Sequence, residues 1–162
     1  MSTITGYRGE QSGILFTHFD LAKTSAKVGF FFTTKIEHAY RYAGTGTPVR
    51  AFKLETGRCL NLQNPHRDEI QPFLRDLWDE YADWVDRYSG EALNRYDLGS
   101  LLETGMLYDY EGTGSGQRWS QLFRLARNQG FDSVMILDAT DGSGGQPVLI
   151  VIVFDACNVS LN

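Results

Sequence analysis

An α+β fold in a single domain is what the sequence predicts, on three observations. Short apolar and aromatic runs lie toward both ends of the chain, and amphipathic stretches at helical spacing fill its middle. Strands and helices do not alternate regularly, which argues against a parallel βαβ sheet. The third observation is compositional: 162 residues with 42% apolar and 22% charged side chains can close one core without metal or disulfide. No internal repeat and no long linker divides the chain, so residues 1–162 read as one domain.

Each element follows from local pattern. Residues 13–19 are rich in aromatic and apolar side chains, but their periodicity fits a strand and a loop equally. Residues 28–34, with Phe30, Phe31 and Phe32 in succession, are short, aromatic and β-branched, which predicts a strand. Residues 35–43 predict a short helix, with Thr33 or Thr34 as N-cap, Glu37 in the first turn and Gly44 as the stop. Residues 49–54 alternate in polarity as a half-buried strand does, and Asn64-Pro65 marks a turn. Ile70, Phe73, Leu74, Leu77, Trp78, Tyr81, Trp84, Val85 and Tyr88 step by three and four, giving an amphipathic helix over residues 68–88. Burial explains that aromatic stripe fully, so it predicts core packing and not a ligand box.

Gly112, Gly114 and Gly116 make a flexible loop, but Gln117-Arg118 follows, so no phosphate-loop signature is completed. Trp119, Leu122, Phe123 and Ala126 predict a second amphipathic helix that ends at Asn128-Gln129-Gly130. Residues 133–137 and 148–154, joined by the Gly-rich loop 141–145, predict a buried β-hairpin whose second strand is central in its sheet.

Charge narrows the function classes. Fifteen Lys and Arg against twenty Asp and Glu leave a formal charge of −5, which argues against non-specific nucleic-acid binding. A local groove with Arg8, Arg41 and Arg50 can still grip a small phosphorylated ligand. Cys59 and Cys157 are far apart and form no CxxC pair, so they read as small buried hydrophobes in a reducing, cytoplasmic setting. The N-terminal stretch has no basic segment followed by a long apolar one, so no secretory signal is expected. Residues 148–154, the most apolar run, are too short for a bilayer crossing of about 20 residues.

The usual catalytic constellations are absent. His18, His38 and His66 lack metal-ligand spacing with one another and with the cysteines. No GxSxG elbow supports a serine triad, and the acids Asp68-Glu69 and Asp79-Glu80 fit a solvated helix face.

An ordered series of segments remains: Tyr7-Arg8-Gly9, residues 29–34, residues 39–43, the strand ending at Leu54 with Asn64-Pro65, residues 130–134 and residues 151–155. In order and spacing this series resembles the ADP-ribosyltransferase fold. It is most similar to the small domains of that kind in polyvalent proteins of phages and other mobile elements, and it spans nearly the whole chain except residues 65–120. The resemblance implies a split β-sandwich with a helical middle, holding NAD in a cleft between two sheets. It also implies transfer of ADP-ribose to a host protein target with release of nicotinamide.

The same resemblance assigns residues. Arg8, followed by Gly9, matches the arginine form of the first motif, where a guanidinium meets diphosphate or ribose oxygens and the glycine lets ligand approach the backbone. Thr33 and Thr34 fall at the element that orients the ribose, Phe31 where another class of the family has a tyrosine, and Tyr42 at the aromatic on which nicotinamide stacks. Each has a plainer role available too: solvent exposure for Arg8, helix capping for the threonines, core packing for Tyr42. The family's catalytic glutamate, five residues before Asp155, corresponds here to Ile150. Asp141, Gln146 and Asp138 are the stand-ins, and Gln146 can hydrogen-bond a hydroxyl but supplies no negative charge. The resemblance therefore leaves two outcomes open, an active transferase and a degenerate protein- or NAD-binding module.

Overall fold

A computed structural model describes residues 2–9, 29–43, 46–64, 67–68, 70–73, 75–76, 117–138 and 146–162. Seven strands join in one sheet: β1 (Thr3–Gly9), β2 (Phe30–Thr33), β3 (Val49–Glu55), β4 (Cys59–Asn61), β5 (Ser133–Asp138), β6 (Val148–Val153) and β7 (Val159–Leu161). Two helices accompany them, α1 (Ile36–Ala43) and α2 (Gln117–Asn128), and a 3-10 turn spans Ala156–Asn158. The spatial order is β4-β5-β6-β2-β1-β3-β7. Neighbours run antiparallel except β4 and β5, which are parallel. The architecture is α+β.

The β5–β6 hairpin forms as the sequence predicts, in full register from Ser133 opposite Val153 to Asp138 opposite Val148. Strand β6 lies inside the sheet between β5 and β2, and all of its residues but Leu149 are buried. A run of β-branched residues covered on both faces reads as unbroken hydrophobicity, which is why this strand was visible in the sequence.

One sheet face carries a core cluster of Phe30, Phe32, Phe52, Leu54, Met135, Val151 and Val153. The alternate residues face the helices. Phe31 meets Phe123 of α2 edge to face at 5.5 Å, and the bare backbone of Gly9 lies where any side chain would strike Ala43 of α1. Ile70 and Phe73 are buried as the amphipathic pattern requires, and Phe73 meets the Phe131 ring edge-on at 6.1 Å. Residues 71–73 and 75–76 are helical. Asp68 and Ile70, expected in the helix, lie instead in a turn ahead of it, where the Ile70 amide donates to the Arg67 carbonyl at 3.0 Å; residues 69, 74 and 77–88, the segment 13–19 and the glycine loops 112–116 and 141–145 lie outside the described residues.

Helix ends follow backbone chemistry more than the simplest sequence rule. At α1 the expected threonine cap is replaced by Lys35, whose carbonyl accepts from the amides of His38 and Ala39 at 3.1 and 3.2 Å. Thr33 instead closes a local turn, its Oγ1 accepting from the Lys35 amide at 3.3 Å. Helix α2 stops where predicted: Gly130 adopts φ 83°. The amides of Gly130 and Phe131 donate to Arg127 and Ala126 at 3.0 and 3.1 Å, capping carbonyls the helix cannot satisfy.

Strands β1, β4 and β7 were not anticipated. β1 contains two glycines, and β4 and β7 have three residues each, too few for a period-two signal. A polar knot fixes where β1, β3 and β5 come together: Thr56 Oγ1 bonds the Ser2 carbonyl at 3.1 Å, and Ser133 Oγ donates to the Thr56 carbonyl at 2.7 Å.

Candidate functional site

The sheet narrows at one junction. β1 pairs with β3 at seven positions, from Thr3 opposite Glu55 to Gly9 opposite Val49, whereas among the described residues β1 and β2 share one registered pair, Tyr7 opposite Thr33. Two half-sheets, β4-β5-β6-β2 and β1-β3-β7, thus meet at a seam. The strand residues singled out from the sequence gather there: Arg8 and Gly9 follow Tyr7, Phe31 precedes Thr33, and Thr34 follows it.

These residues do not all face one way. Side chains alternate along a strand, so Arg8 and Gly9 address opposite faces. The Arg8 guanidinium lies 5.9 Å from the centre of the Phe32 ring, on the face of the phenylalanine core. Burial pushes its pKa down from the ordinary arginine value. The space at Gly9 is taken by Ala43, so the missing side chain serves helix packing at that point.

Across the seam, Thr33 is buried and Thr34 half-buried. Thr34 donates both its amide and its hydroxyl to the Leu149 carbonyl, at 3.1 and 3.2 Å. This pins the end of β2 to β6. Phe31 is half-buried against Phe123. Tyr42 lies in the last turn of α1, the helix packed on Gly9, and its side chain is outside the described residues.

Register fixes the surroundings of Ile150. Ile150 stands directly opposite Thr33 on β2 and Ile136 on β5, 5% exposed, so no carboxylate occupies that position. Gln146 is exposed just before β6. Asp141 lies outside the described residues. Asp138 ends β5 and turns under α1, where its carboxylate is 3.6 Å from His38 Nε2 with both side chains buried. Local pattern assigns no role to His38. Its inward position one turn before Tyr42 was the available signal, and the pairing with Asp138 depends on strand register that local pattern does not encode.

Among the described residues no group of three His, Cys, Asp or Glu is placed to hold a metal ion. None of their helices is long and apolar enough to cross a membrane. Cys59 is half-buried on β4 and Cys157 is exposed, both as free thiols. Burial raises the pKa of Cys59, and the neighbouring Asp155 raises that of Cys157, so neither is primed as a thiolate nucleophile.

No family model matches the chain, and no curated protein matches it. Among solved structures, the crystal structure of an anti-CRISPR protein is similar over 98% of this chain and 94% of that one, with a TM-score of 0.53 and 14% identity. At that identity the likeness concerns the fold.

Proposed function

We propose that the protein is a NAD-dependent mono-ADP-ribosyltransferase of a phage or other mobile element, modifying a host protein. The observation that carries this reading is the seam. Arg8, Thr33 and Thr34, which the sequence resemblance assigns to NAD, all fall within one position of the registered pair Tyr7–Thr33, with Arg8 and Thr33 on opposite faces of the sheet at that point. A half-buried guanidinium that has lost hydration is stabilised by an anion, and the diphosphate of NAD supplies one. The likeness to an anti-CRISPR protein over nearly the whole chain supports the effector part of the reading. Proteins of the bacterial CRISPR apparatus are accordingly the first targets to try.

The reaction divides as follows. The bond between nicotinamide and the ribose C1 breaks, nicotinamide leaves with the electron pair, and the ribose carries positive charge until an acceptor side chain bonds to C1 and releases its proton. The chain must hold the dinucleotide bent and oriented, so that binding energy is spent on the charged transition state. Arg8 would hold the diphosphate. Gln146, which lies just before β6, would face the ribose in place of the family glutamate, and Asp141 is the other candidate the resemblance leaves for that role.

Incubation of the purified chain with adenine-labelled NAD and bacterial lysate tests this directly. Label on a protein band, with stoichiometric nicotinamide, is the expected result, and both signals drop in Arg8→Gln. A folded wild-type chain that releases no nicotinamide with any lysate overturns it.

A specific observation favours a second reading. With Ile150 buried at the position of the usual acid, the rate expected from electrostatic stabilisation falls by about 10²–10³ for one lost group. The fold would then serve as a protein- or NAD-binding module. Calorimetric heat with NAD or ADP-ribose, without nicotinamide release, is its signature.

A further inference from the structure

Helix α1 bridges the two half-sheets. It packs on β1 and β3 of one and on β2 of the other, and its two ends are fastened to different halves. Near its start, His38 Nε2 stands 3.6 Å from Asp138 Oδ2 at the end of β5, with both side chains buried. At its last residue, Ala43 occupies the space that a side chain on Gly9 of β1 would need. We propose that α1 is a strap across the β1–β2 seam, latched by the His38–Asp138 pair, and that it opens as a unit while the sheet stays folded.

Three features make the strap separable from what it covers. Its outward residues Ile36, Glu37, Tyr40 and Arg41 are exposed, so lifting the helix displaces nothing packed on that side. It has eight residues, fewer than the roughly 12–15 at which an isolated helix becomes even marginally stable in water. Once off the sheet it therefore loses its own backbone hydrogen bonds, which makes opening visible at its amides. The third feature is the latch. His38 and Asp138 each have a further interaction within the chain, and separating them would leave both buried groups with one partner fewer, a costly change in an apolar interior. Beneath the strap, Tyr7 and Gly9 of β1 and Thr33, opposite Tyr7, share the helix-side face by strand alternation. Opening uncovers that face, including the backbone at Gly9 that Ala43 otherwise blocks. The strap is a property of the ligand-free chain and does not depend on the transferase reading.

Amide hydrogen exchange of the ligand-free full chain, resolved by NMR, tests this. The amides of residues 40–43 are expected to exchange together and at least about tenfold faster than those of the β5–β6 hairpin, since a local opening needs less free energy than global unfolding. His38→Gln and Asp138→Asn are each expected to raise that ratio by about a further tenfold, and the double variant to add little to either, because two partners in one interaction are not additive. The wild-type comparison needs no substitution and decides even if a variant fails to fold: residues 40–43 exchanging only at the hairpin rate overturn the strap. Single variants that speed the helix and the hairpin alike, or a double variant whose effect is the product of the two singles, overturn the latch. Absence of nicotinamide release alongside separate opening of α1 removes the transferase and leaves the strap standing.

Discussion

The half-sheet β4-β5-β6-β2 is covered on both faces, and the half-sheet β1-β3-β7 on little more than one. In the first, Val134, Ile136, Ile150 and Ile152 are buried on the helix side while Met135, Val151 and Val153 are buried on the other. In the second, Phe52 and Leu54 are fully buried, but Thr3, Thr5, Lys53 and Ser160 are exposed. The difference has a physical consequence. A strand enclosed on both sides admits no unpaired polar group, so chemistry can be placed only where the enclosure ends, at the β1–β2 seam and along the open end of β1 and β3.

Substitutions can break or sharpen this contrast. Phe32→Ala removes a ring that packs on Phe52 at 5.4 Å and underlies Arg8. It is expected to lower unfolding free energy by about 3–5 kcal/mol, whereas Lys53→Ala on the open half stays within about 0.5 kcal/mol. Urea unfolding of the two variants compares the halves, and equal losses would erase the distinction. Ile150→Glu places a carboxylate in the closed half, between Thr33 and Ile136. A loss of about 3–5 kcal/mol is expected from an uncompensated buried charge. A variant as stable as wild type would show that this position opens to solvent.

Gly9→Ala drives a methyl into Ala43, with an expected destabilisation of about 1–3 kcal/mol from overpacking. The double variant Gly9→Ala with Ala43→Gly should recover most of it in a thermal melt. The smallest effect concerns Asp155, whose pKa is lowered chiefly by the Cys157 backbone amide that donates to it at 3.0 Å. A lowered folded value means the cap contributes above the ordinary carboxylate range and is lost as pH falls through the lowered one. The Cys157 amide resonance followed in an acid titration should therefore shift with a midpoint below the usual aspartate value. Asp155→Asn should abolish that shift.

Legibility in the sequence followed local pattern and not the division between half-sheets, since β3 alternates readably in the open half and the three-residue β4 of the closed half does not. β5, β6 and the stop at Gly130 were readable because burial on two faces and a positive φ leave few residue choices. β1 was missed because its alternation is broken by Gly6 and Gly9, which are there to admit Leu54 with Phe32 and Ala43 respectively. The seam, the Arg8–Arg50 opposition and the His38–Asp138 pair all arise from register between segments distant in sequence. No local period carries that information. The faces that Arg8 and the two threonines address are set by that register too, and no order of motifs contains them.

A dinucleotide bound by this chain is expected to meet it where β1 and β2 join. Amide chemical-shift mapping with ADP-ribose addresses this most directly. The expected perturbations gather at residues 7–9, 31–35 and 49–51 and vanish in Arg8→Gln. Saturable shifts confined to the far edge, around Arg58 and Phe131, or none at all at millimolar ligand, would contradict it.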